Sequence, residues 1–317
     1  MVELIVSKDA EGLRLDRFLR KHFPNTSLSL LYKSLRKGVY KINDKKAKPD
    51  YRLRVGDKVT LFLSPEDYQK LTQKESKPVV KKTFDILYED HDLLIVNKPP
   101  MLASQPGTGV EHQNLVTQVE SYLGKNTHPG LAHRLDRGTS GIVIIGKNRK
   151  ALLALHALFK EQKIEKYYLA LVVGHLKQKK GVMKSHLKKT TEGFQHRMLV
   201  MEHPSSDTVE AETHYQVKEE SNLYSLVEMK LKTGKMHQIR AQLAHLGNPI
   251  VGDRIYGDAA TNKRYAQQLR RQCLHAVRIR FSHPLTQEKM DIIAPLPEDI
   301  IALLEKNGFK FSLESYR

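Results

Sequence analysis

The chain contains very little cysteine and has a marked deficit of acidic residues. Of its 317 residues only Cys273 is a cysteine, so the chain has no cysteine pair for an intramolecular disulfide and no cysteine-rich zinc site. We therefore expect a reduced, cytoplasmic protein. Asp and Glu number 35 against 53 Lys and Arg, a formal net charge of +18. This excess predicts a polyanionic partner, with nucleic acid ahead of an anionic membrane surface.

Long apolar runs are also missing. Stretches such as Leu93–Val96 and Ala151–Leu155 fall far short of the roughly 20 residues that span a bilayer. Met1–Ala10 shows no basic start followed by an apolar run, so we expect no secretory signal. The 40% of hydrophobic residues is enough for a core, which excludes global disorder. The length predicts two domains, or one large domain with a small appendage.

Residues 1–82 carry a disproportionate share of the positive charge, with 20 Lys or Arg against 10 Asp or Glu. Apolar stripes in this segment predict two short helices, followed by a small sheet. Each helix also groups cations on another face, and these are our candidate RNA contacts: Arg17, Arg20 and Lys21 on the first helix, and Lys33, Arg36 and Lys37 on the second. Solvated helix faces produce the same pattern, so spacing alone leaves both interpretations open.

The segment 64–83 is polar, contains two prolines and shows no periodicity. It predicts a linker between a domain over residues 1–63 and a second over residues 84–317. In the second domain strand-like runs alternate with amphipathic helical ones, which predicts a substantial antiparallel or mixed sheet flanked by helices. The expected fold class is therefore α+β, with a small N-terminal domain and a larger second one.

Four local patterns of the larger domain give more specific predictions. Residues 148–160 carry an apolar stripe that predicts a helix capped by Asn148, and the stripe of Met236–Leu246 predicts another helix. Residues 223–232 alternate between apolar and polar side chains, which predicts a strand. The apolar run before Lys98 predicts a strand that ends there.

Three segments of the larger domain contain candidates for chemistry. Asp136 lies in HRLDRGTSG, where cationic neighbours keep a carboxylate ionised and suited to act as a nucleophile or base. A structural turn with surface arginines is the alternative. In GKMHQIR, at a predicted helix start, His237 and Arg240 lie about one turn apart. KYYLALVVG places tyrosines at the entry of a predicted strand, where packing and base stacking explain them equally well.

These segments together resemble the motifs of a known family. HRLDRGTSG closely resembles the signature motif of the RluA-type pseudouridine synthases, and KYYLALVVG resembles their second motif. TGKMHQIRAQLAHLGNPIVGDRIYG resembles the third motif, although TGKMHQIR replaces the usual TGRTHQIR, and CLHA through FSHP resembles the last. All four segments follow the family order. The N-terminal segment is similar to the S4-like RNA-binding domain that many members carry.

The resemblance implies an RNA pseudouridine synthase, an isomerase that detaches the base of a uridine at N1 and rejoins it through C5. The target base must flip out of the RNA to reach such a site. We expect large-subunit ribosomal RNA as the substrate, with tRNA as the alternative for the same chemistry. A non-catalytic RNA-binding assembly factor and an enzyme that releases free base stay open as other classes. We expect no cofactor, no metal, no membrane partner and a monomer.

The resemblance also implies roles for individual residues. Asp136 matches the catalytic aspartate, Tyr168 the tyrosine that stacks on the uracil, and Arg240 the arginine that pairs with the aspartate. Arg134 matches the arginine that enters the RNA helix as the uridine flips out, and Leu274 matches an apolar pocket residue. The same motifs contain three further candidates for substrate binding: His133, Lys166 and His237.

Overall fold

The computed structural model describes residues 2–23, 26, 28–72, 80–107, 110, 113–124, 127, 129–192 and 195–313. The chain divides into two compact units, Met1–Pro78 and Val79–Arg317. Each unit has a hydrophobic core of its own. The boundary between them falls inside the segment 64–83, whose residues 73–79 lie outside the described part of the chain.

The first unit packs two helices against a small antiparallel sheet. The helices are α1 (Leu15–His22) and α2 (Leu28–Lys37), as the apolar stripes predict. The sheet has the strand order β1-β4-β2-β3 and consists of β1 (Val2–Ile5), β2 (Tyr40–Ile42), β3 (Lys45–Lys46) and β4 (Lys58–Leu61). A short 3-10 helix, Lys8–Ala10, follows β1. The sequence did not predict β1, which pairs with β4 along its whole length.

The segment that we predicted to be a linker contains a helix, α3 (Pro65–Thr72). The Ser64 hydroxyl accepts a hydrogen bond from the Asp67 backbone N–H at 3.0 Å, which is a typical N-cap with proline at the first helical position. The Tyr68 ring packs edge-on against Phe23 at a centroid distance of 5.9 Å. A short cap motif and one aromatic contact therefore produce a helix where periodicity shows none, and α3 belongs to the first unit.

The second unit is built on a large mixed sheet. Its strands among the described residues are β5 (Asp85–Glu89), β6 (Leu93–Lys98), β7 (Gly130–Leu131), β8 (Ser140–Gly146), β9 (Glu165–Val173), β10 (Lys180–Glu192), β11 (Gln195–Met201), β12 (Thr208–Glu220), β13 (Tyr224–Leu231), β14 (Leu274–Ser282) and β15 (Lys289–Ile293). The order is β11-β10-β12-β13-β9-β14-β8-β6-β5, with β15 on β14 and β7 on β8. The β14–β8 pair is parallel, so the mixed sheet that we expected is confirmed.

The helices of this unit are α4 (Leu115–Leu123), α5 (Arg149–Lys160), α6 (Gln238–His245), α7 (Ala259–Arg264) and α8 (Glu298–Lys306). The Asn148 side chain caps α5 by accepting the Ala151 N–H, as the sequence predicts. α6 begins two residues later than expected because His237 adopts a left-handed conformation with φ 52°. None of the described helices combines the length and apolar character needed to cross a membrane.

Three chain segments meet over the middle of the large sheet. The loop that contains Asp136 leads into β8, whose residues are all buried. β9 lies between β13 and β14, and α6 follows β13 after a short connection. Because β8, β9 and β13 lie close together in the sheet, residues about 100 positions apart in sequence come into contact, as the 104-residue separation of Asp136 and Arg240 shows.

Candidate active site

An open cavity of about 520 Å³ lies where these three segments meet. Asp136, Tyr168 and Arg240 all line it. The other candidates that the sequence placed in the larger domain also line it, namely Arg134, Leu274, His133, Lys166 and His237. The structure thus brings together in one cavity every residue of this group.

Asp136 contacts a buried arginine that a second carboxylate holds in place. The Arg240 Nη1 donates to Asp136 Oδ2 at 2.8 Å. Its Nε and Nη2 donate to the two carboxylate oxygens of Asp253 at 2.6 and 2.8 Å. Asp253 is fully buried and also accepts the backbone N–H groups of Ile255 and Tyr256. One guanidinium therefore bridges a structural carboxylate and a carboxylate that faces the cavity.

The charges in this chain of contacts stabilise one another. Burial alone would lower the pKa of Arg240, but the ion pairs with Asp253 and Asp136 raise it above its usual range. Burial would likewise raise the pKa of Asp253, and hydrogen bonds and charge from Arg240 lower it instead. Arg240 is 5% exposed, whereas the Asp136 side chain is 28% exposed. Asp136 is the member of this trio that a substrate can reach.

The backbone around Asp136 is held from several sides. The Ser104 hydroxyl donates to the Leu135 carbonyl at 2.7 Å and accepts the Leu135 N–H at 3.1 Å. The Thr139 N–H donates to the Asp136 carbonyl at 3.0 Å, closing a turn. At Gly138 a Cβ atom would lie 2.3 Å from the Gln272 side chain. The turn that we considered as the structural alternative for Asp136 thus exists, and it presents the carboxylate to the cavity.

Lys98, which the sequence did not identify as a site residue, supports the same loop. This last residue of β6 is 0% exposed. Its Nζ donates to the carbonyls of Pro99 and Leu102 at 2.9 and 2.8 Å, and to that of Arg137 at 3.3 Å. Burial lowers its pKa to about 7, Arg271 lowers it further and Asp136 opposes the shift. The available signal was a lysine at the end of an apolar strand. We interpreted this lysine only as the residue at which the strand ends.

His237 also lies close to the Asp136 carboxylate. Its Nε2 is 3.7 Å from Asp136 Oδ2, and its Nδ1 is 3.1 Å from the Tyr256 hydroxyl. That hydroxyl accepts the Met198 N–H at 2.6 Å, which anchors it to β11. Burial lowers the pKa of His237, and the charge of Asp136 opposes this shift. Tyr256 and Asp253 are also residues that we missed as site members, although both lie within the third motif.

Two glutamines fix α6 to the sheet. Gln238 accepts from the Thr233 hydroxyl and the Lys235 N–H, and it donates to the Glu212 carbonyl and the Thr213 hydroxyl. The Gln242 amide donates to the carbonyls of Met183 and Ala211 and to the Ser185 hydroxyl. These buried hydrogen bonds leave α6 little freedom to rotate, so they fix the direction in which Arg240 points.

Tyr168 and Leu274 belong to the apolar lining of the cavity. Tyr168 is 7% exposed and Leu274 4%. Burial, and secondarily the charge of Asp136, raises the pKa of Tyr168, so its hydroxyl stays protonated at neutral pH. A ring that lines the cavity and keeps a protonated hydroxyl suits stacking on a planar base.

His133 and Lys166 lie at one side of the cavity. His133 Nε2 accepts the Ile144 N–H at 3.2 Å, and burial, followed by the charge of Lys166, lowers its pKa to about 3. The ring is therefore neutral. Lys166 Nζ lies 5.7 Å from the centre of the Phe159 ring. Burial lowers its pKa to about 8.

The six cationic candidates of the first unit lie on its two adjacent helices. All six are exposed: Arg17, Arg20, Lys21, Lys33, Arg36 and Lys37. The apolar faces of α1 and α2 are buried beneath them in the core of the unit, with Leu15, Leu19 and Leu31 almost fully covered. Among the described residues, no cluster of three or more His, Cys, Asp or Glu side chains is arranged to hold a metal ion.

Comparisons with known proteins agree on one family. The profile of the RNA pseudouridylate synthase family matches residues 92–245. The chain is 35% identical over 309 residues to the ribosomal large subunit pseudouridine synthase C of Buchnera aphidicola, covering 92% of this chain and 93% of that relative. It is 33% identical over 309 residues to the protein of that name from Escherichia coli, with 95% of each covered. A solved structure, the human RNA pseudouridylate synthase domain containing 1, matches with a TM-score of 0.57 and 27% identity, over 70% of this chain and 86% of that one.

Proposed function

The chain belongs to the RNA pseudouridylate synthase family, of the RluA type, and from this premise we propose that it modifies large-subunit ribosomal RNA with Asp136 as its catalytic carboxylate. The Buchnera and Escherichia coli relatives, which align over more than nine-tenths of the chain, are named for the large ribosomal subunit. The net charge of +18 fits a substrate made of phosphodiesters.

One observation supports the role of Asp136 above all others. Asp136 is a partly exposed carboxylate at a cavity, and its buried arginine partner is itself held by a fully buried carboxylate. Burying a guanidinium costs free energy unless it is paired with a carboxylate. A turn with a purely structural role would not need a buried guanidinium beside Asp136. The arrangement orients Asp136 toward the cavity.

The reaction exchanges one bond to the sugar for another. The N1–C1′ bond of uridine breaks and a C5–C1′ bond forms, while C5 loses a proton and N1 gains one. No atoms are added or removed overall, so the step is an isomerisation. Asp136 acts on the detaching nucleoside as a nucleophile or base, with Arg240 stabilising its negative charge.

Access to the cavity requires the target base to leave its stack. Flipping costs a few kcal/mol. Stacking on Tyr168 returns roughly 1–3 kcal/mol, and Leu274 covers the apolar edge of the base. Arg134, which is exposed at the mouth of the cavity, fills the gap left in the RNA.

The first unit is proposed to act as an S4-like RNA-binding domain. Its six exposed cations on α1 and α2 are placed to contact phosphates, which position a protein on RNA without reading its sequence. The site in the second unit then performs the chemistry.

The proposal is tested with unmodified large-subunit ribosomal RNA that carries tritium at C5 of uridine. The wild-type protein is expected to release tritium without free uracil, and Asp136→Asn is expected to release none while binding the RNA within a few-fold of wild type. Asp85→Asn, an exposed acid on β5, is the matched control. Turnover by Asp136→Asn would refute the catalytic role, and release from tRNA alone would refute the ribosomal substrate.

A further inference from the structure

Lys166 is a mostly buried cation on the cavity side of β9. It precedes Tyr168 by two residues, and side chains two apart on a strand project from the same face. Both residues line the cavity, about 7 Å apart along the strand. The proposed stacking platform for the base and the lysine ammonium group therefore stand side by side on one strand.

The ammonium group has no carboxylate partner among the residues that the structure describes. Its surroundings are the Phe159 ring and the neutral His133, with Gly234 close by. The neighbouring acid, Glu165, projects to the other face of β9 and pairs with Lys230. Burial is the cause of the lowered pKa of Lys166, which agrees with the lack of a carboxylate partner.

The charged groups that line the cavity together with Lys166 come from the Asp136 loop, from α5 and from the segment after β13. Apart from Asp136, which Arg240 already binds, they are all cations: Arg134, Lys160, Lys232 and Lys235. None of these groups offsets the cost of burial, so an unpaired ammonium group is unfavourable at this position. An anionic ligand would remove that penalty, whereas none of the protein groups of the cavity does so.

We propose that Lys166 binds a phosphate group attached to the flipped uridine, so that the cavity holds a base site at Tyr168 and an anion site beside it. This inference rests on the proposed function. The ribose of a nucleotide separates its base from its phosphates, and the spacing of the two side chains along β9 matches that separation. The Phe159 ring directs the ammonium group through a cation–π contact without neutralising it.

The anion site has a consequence for pH. Lys166 is protonated below a pH of about 8, and only the protonated form attracts a phosphate. The KM for RNA is therefore expected to rise above pH 8, with a smaller change in kcat. In Lys166→Arg the side chain stays charged over this range, so the rise is expected to disappear.

The experiment compares uridine, uridine 5′-monophosphate and uridine 3′-monophosphate as inhibitors of tritium release from ribosomal RNA. One of the monophosphates is expected to inhibit the wild-type protein about ten-fold more strongly than uridine, the effect of one charge-assisted hydrogen bond. Lys166→Met is expected to remove this difference, and Lys166→Arg to retain it. Lys160→Met removes an exposed lysine of the same cavity and is expected to leave the ratio unchanged.

Two outcomes would overturn the anion site. One is equal inhibition by uridine and both monophosphates in the wild-type protein, including no inhibition by any of them. The other is an unchanged ratio in a folded Lys166→Met protein, with folding checked by circular dichroism. Both outcomes leave the proposed function standing, because wild-type tritium release is measured in the same assay. Absence of that release would refute the proposed function instead.

Discussion

Arg240 is the residue on which the geometry of the site most directly depends. Two of its nitrogens bind Asp253 in a fork, and the third binds Asp136. Lysine could not replace it, because an ammonium group lacks the planar geometry of a guanidinium. Only the guanidinium can bind one carboxylate through two nitrogens and a second carboxylate through the third. The residue thus links a buried ion pair to the carboxylate that faces the cavity.

The two ends of this linkage are expected to respond differently to substitution. Arg240→Met leaves Asp253 buried without its partner and is expected to lower the free energy of unfolding by about 3–5 kcal/mol. Asp136→Asn removes a partly exposed charge and is expected to change stability by less than about 1 kcal/mol. Urea unfolding measures both values. Similar destabilisation in the two variants would contradict the assignment of a structural role to Asp253 and a catalytic role to Asp136.

Lys98 is expected to make stability depend on pH in the alkaline range. Its pKa is about 7 in the folded chain against 10.5 ordinarily. Below pH 7 both states are protonated, so Lys98 contributes no pH dependence there. Between these two values the unfolded chain holds a proton that the folded chain has released, so the free energy of unfolding rises with pH, by about 1.4 kcal/mol per unit.

The check is the difference between wild type and Lys98→Met in urea unfolding at several pH values. The wild-type protein is expected to gain stability relative to Lys98→Met between pH 7 and pH 10. Lys150→Met, which removes an exposed lysine of α5, is expected to follow the wild-type curve. Parallel curves for wild type and Lys98→Met would contradict the lowered pKa.

At the scale of elements, the junction of β8 and β14 positions the Asp136 loop. Gly141 has φ +110° and pairs with Ala276 in the parallel ladder. A Cβ atom at Gly141 would lie 2.3 Å from the Ala276 carbonyl oxygen, so only glycine allows the two strands to approach this closely. The strand begins one residue earlier, at Ser140, directly after the loop that contains Asp136.

Gly141→Ala is therefore expected to destabilise the second unit by roughly 2–4 kcal/mol, through backbone strain and the clash together. Tritium release is expected to fall as well, because the loop shifts with the strand. Gly247→Ala is the control, since Gly247 has φ +81° and no atom lies within 4 Å of the position that its Cβ would occupy. This variant is expected to lower the free energy of unfolding by about 1–2 kcal/mol, through backbone strain alone. Equal destabilisation of the two variants in urea unfolding would show that the close approach is unimportant.

At the scale of the whole molecule, the charge is divided unevenly between the two units. Residues 1–78 contain 18 Lys or Arg and 10 Asp or Glu, and six of these cations lie exposed on α1 and α2. Several lysines of β10 and of the segment before it are paired with acids instead, as in Lys184 with Glu212 and Lys188 with Asp207. The first unit is therefore the stronger candidate for binding the RNA backbone.

A protein that starts at Val79 is expected to fold, because the second unit has its own core. It is expected to bind ribosomal RNA more weakly and with a shallower dependence on salt. The log–log slope should decrease by about 0.7–0.9 for each phosphate that the first unit neutralises in the full chain. Binding measured over a series of salt concentrations tests this. A slope equal to that of the full chain would mean that the first unit does not bind phosphates.

Features that depend on neighbouring residues were predicted correctly from the sequence. The apolar stripes of α1 and α2, the Asn148 cap of α5 and the alternation in β13 are confirmed, because neighbouring residues determine periodicity and capping. The family resemblance, carried by short contiguous motifs, is confirmed as well. The same local information misled us in the segment 64–83, where a polar composition concealed the capped helix α3.

The contacts that make the candidate site were decided by tertiary structure. Asp136, Tyr168 and Arg240 are far apart in the chain, and no periodicity predicts that Asp253 holds Arg240 or that Lys98 supports the Asp136 loop. The charge of Lys98 marks it on the sequence as a surface residue, and only the three carbonyls around it explain its burial. Burial and hydrogen-bond partners are properties of the packed sheet, so residue type reveals which chemistry is possible and the fold decides which groups perform it.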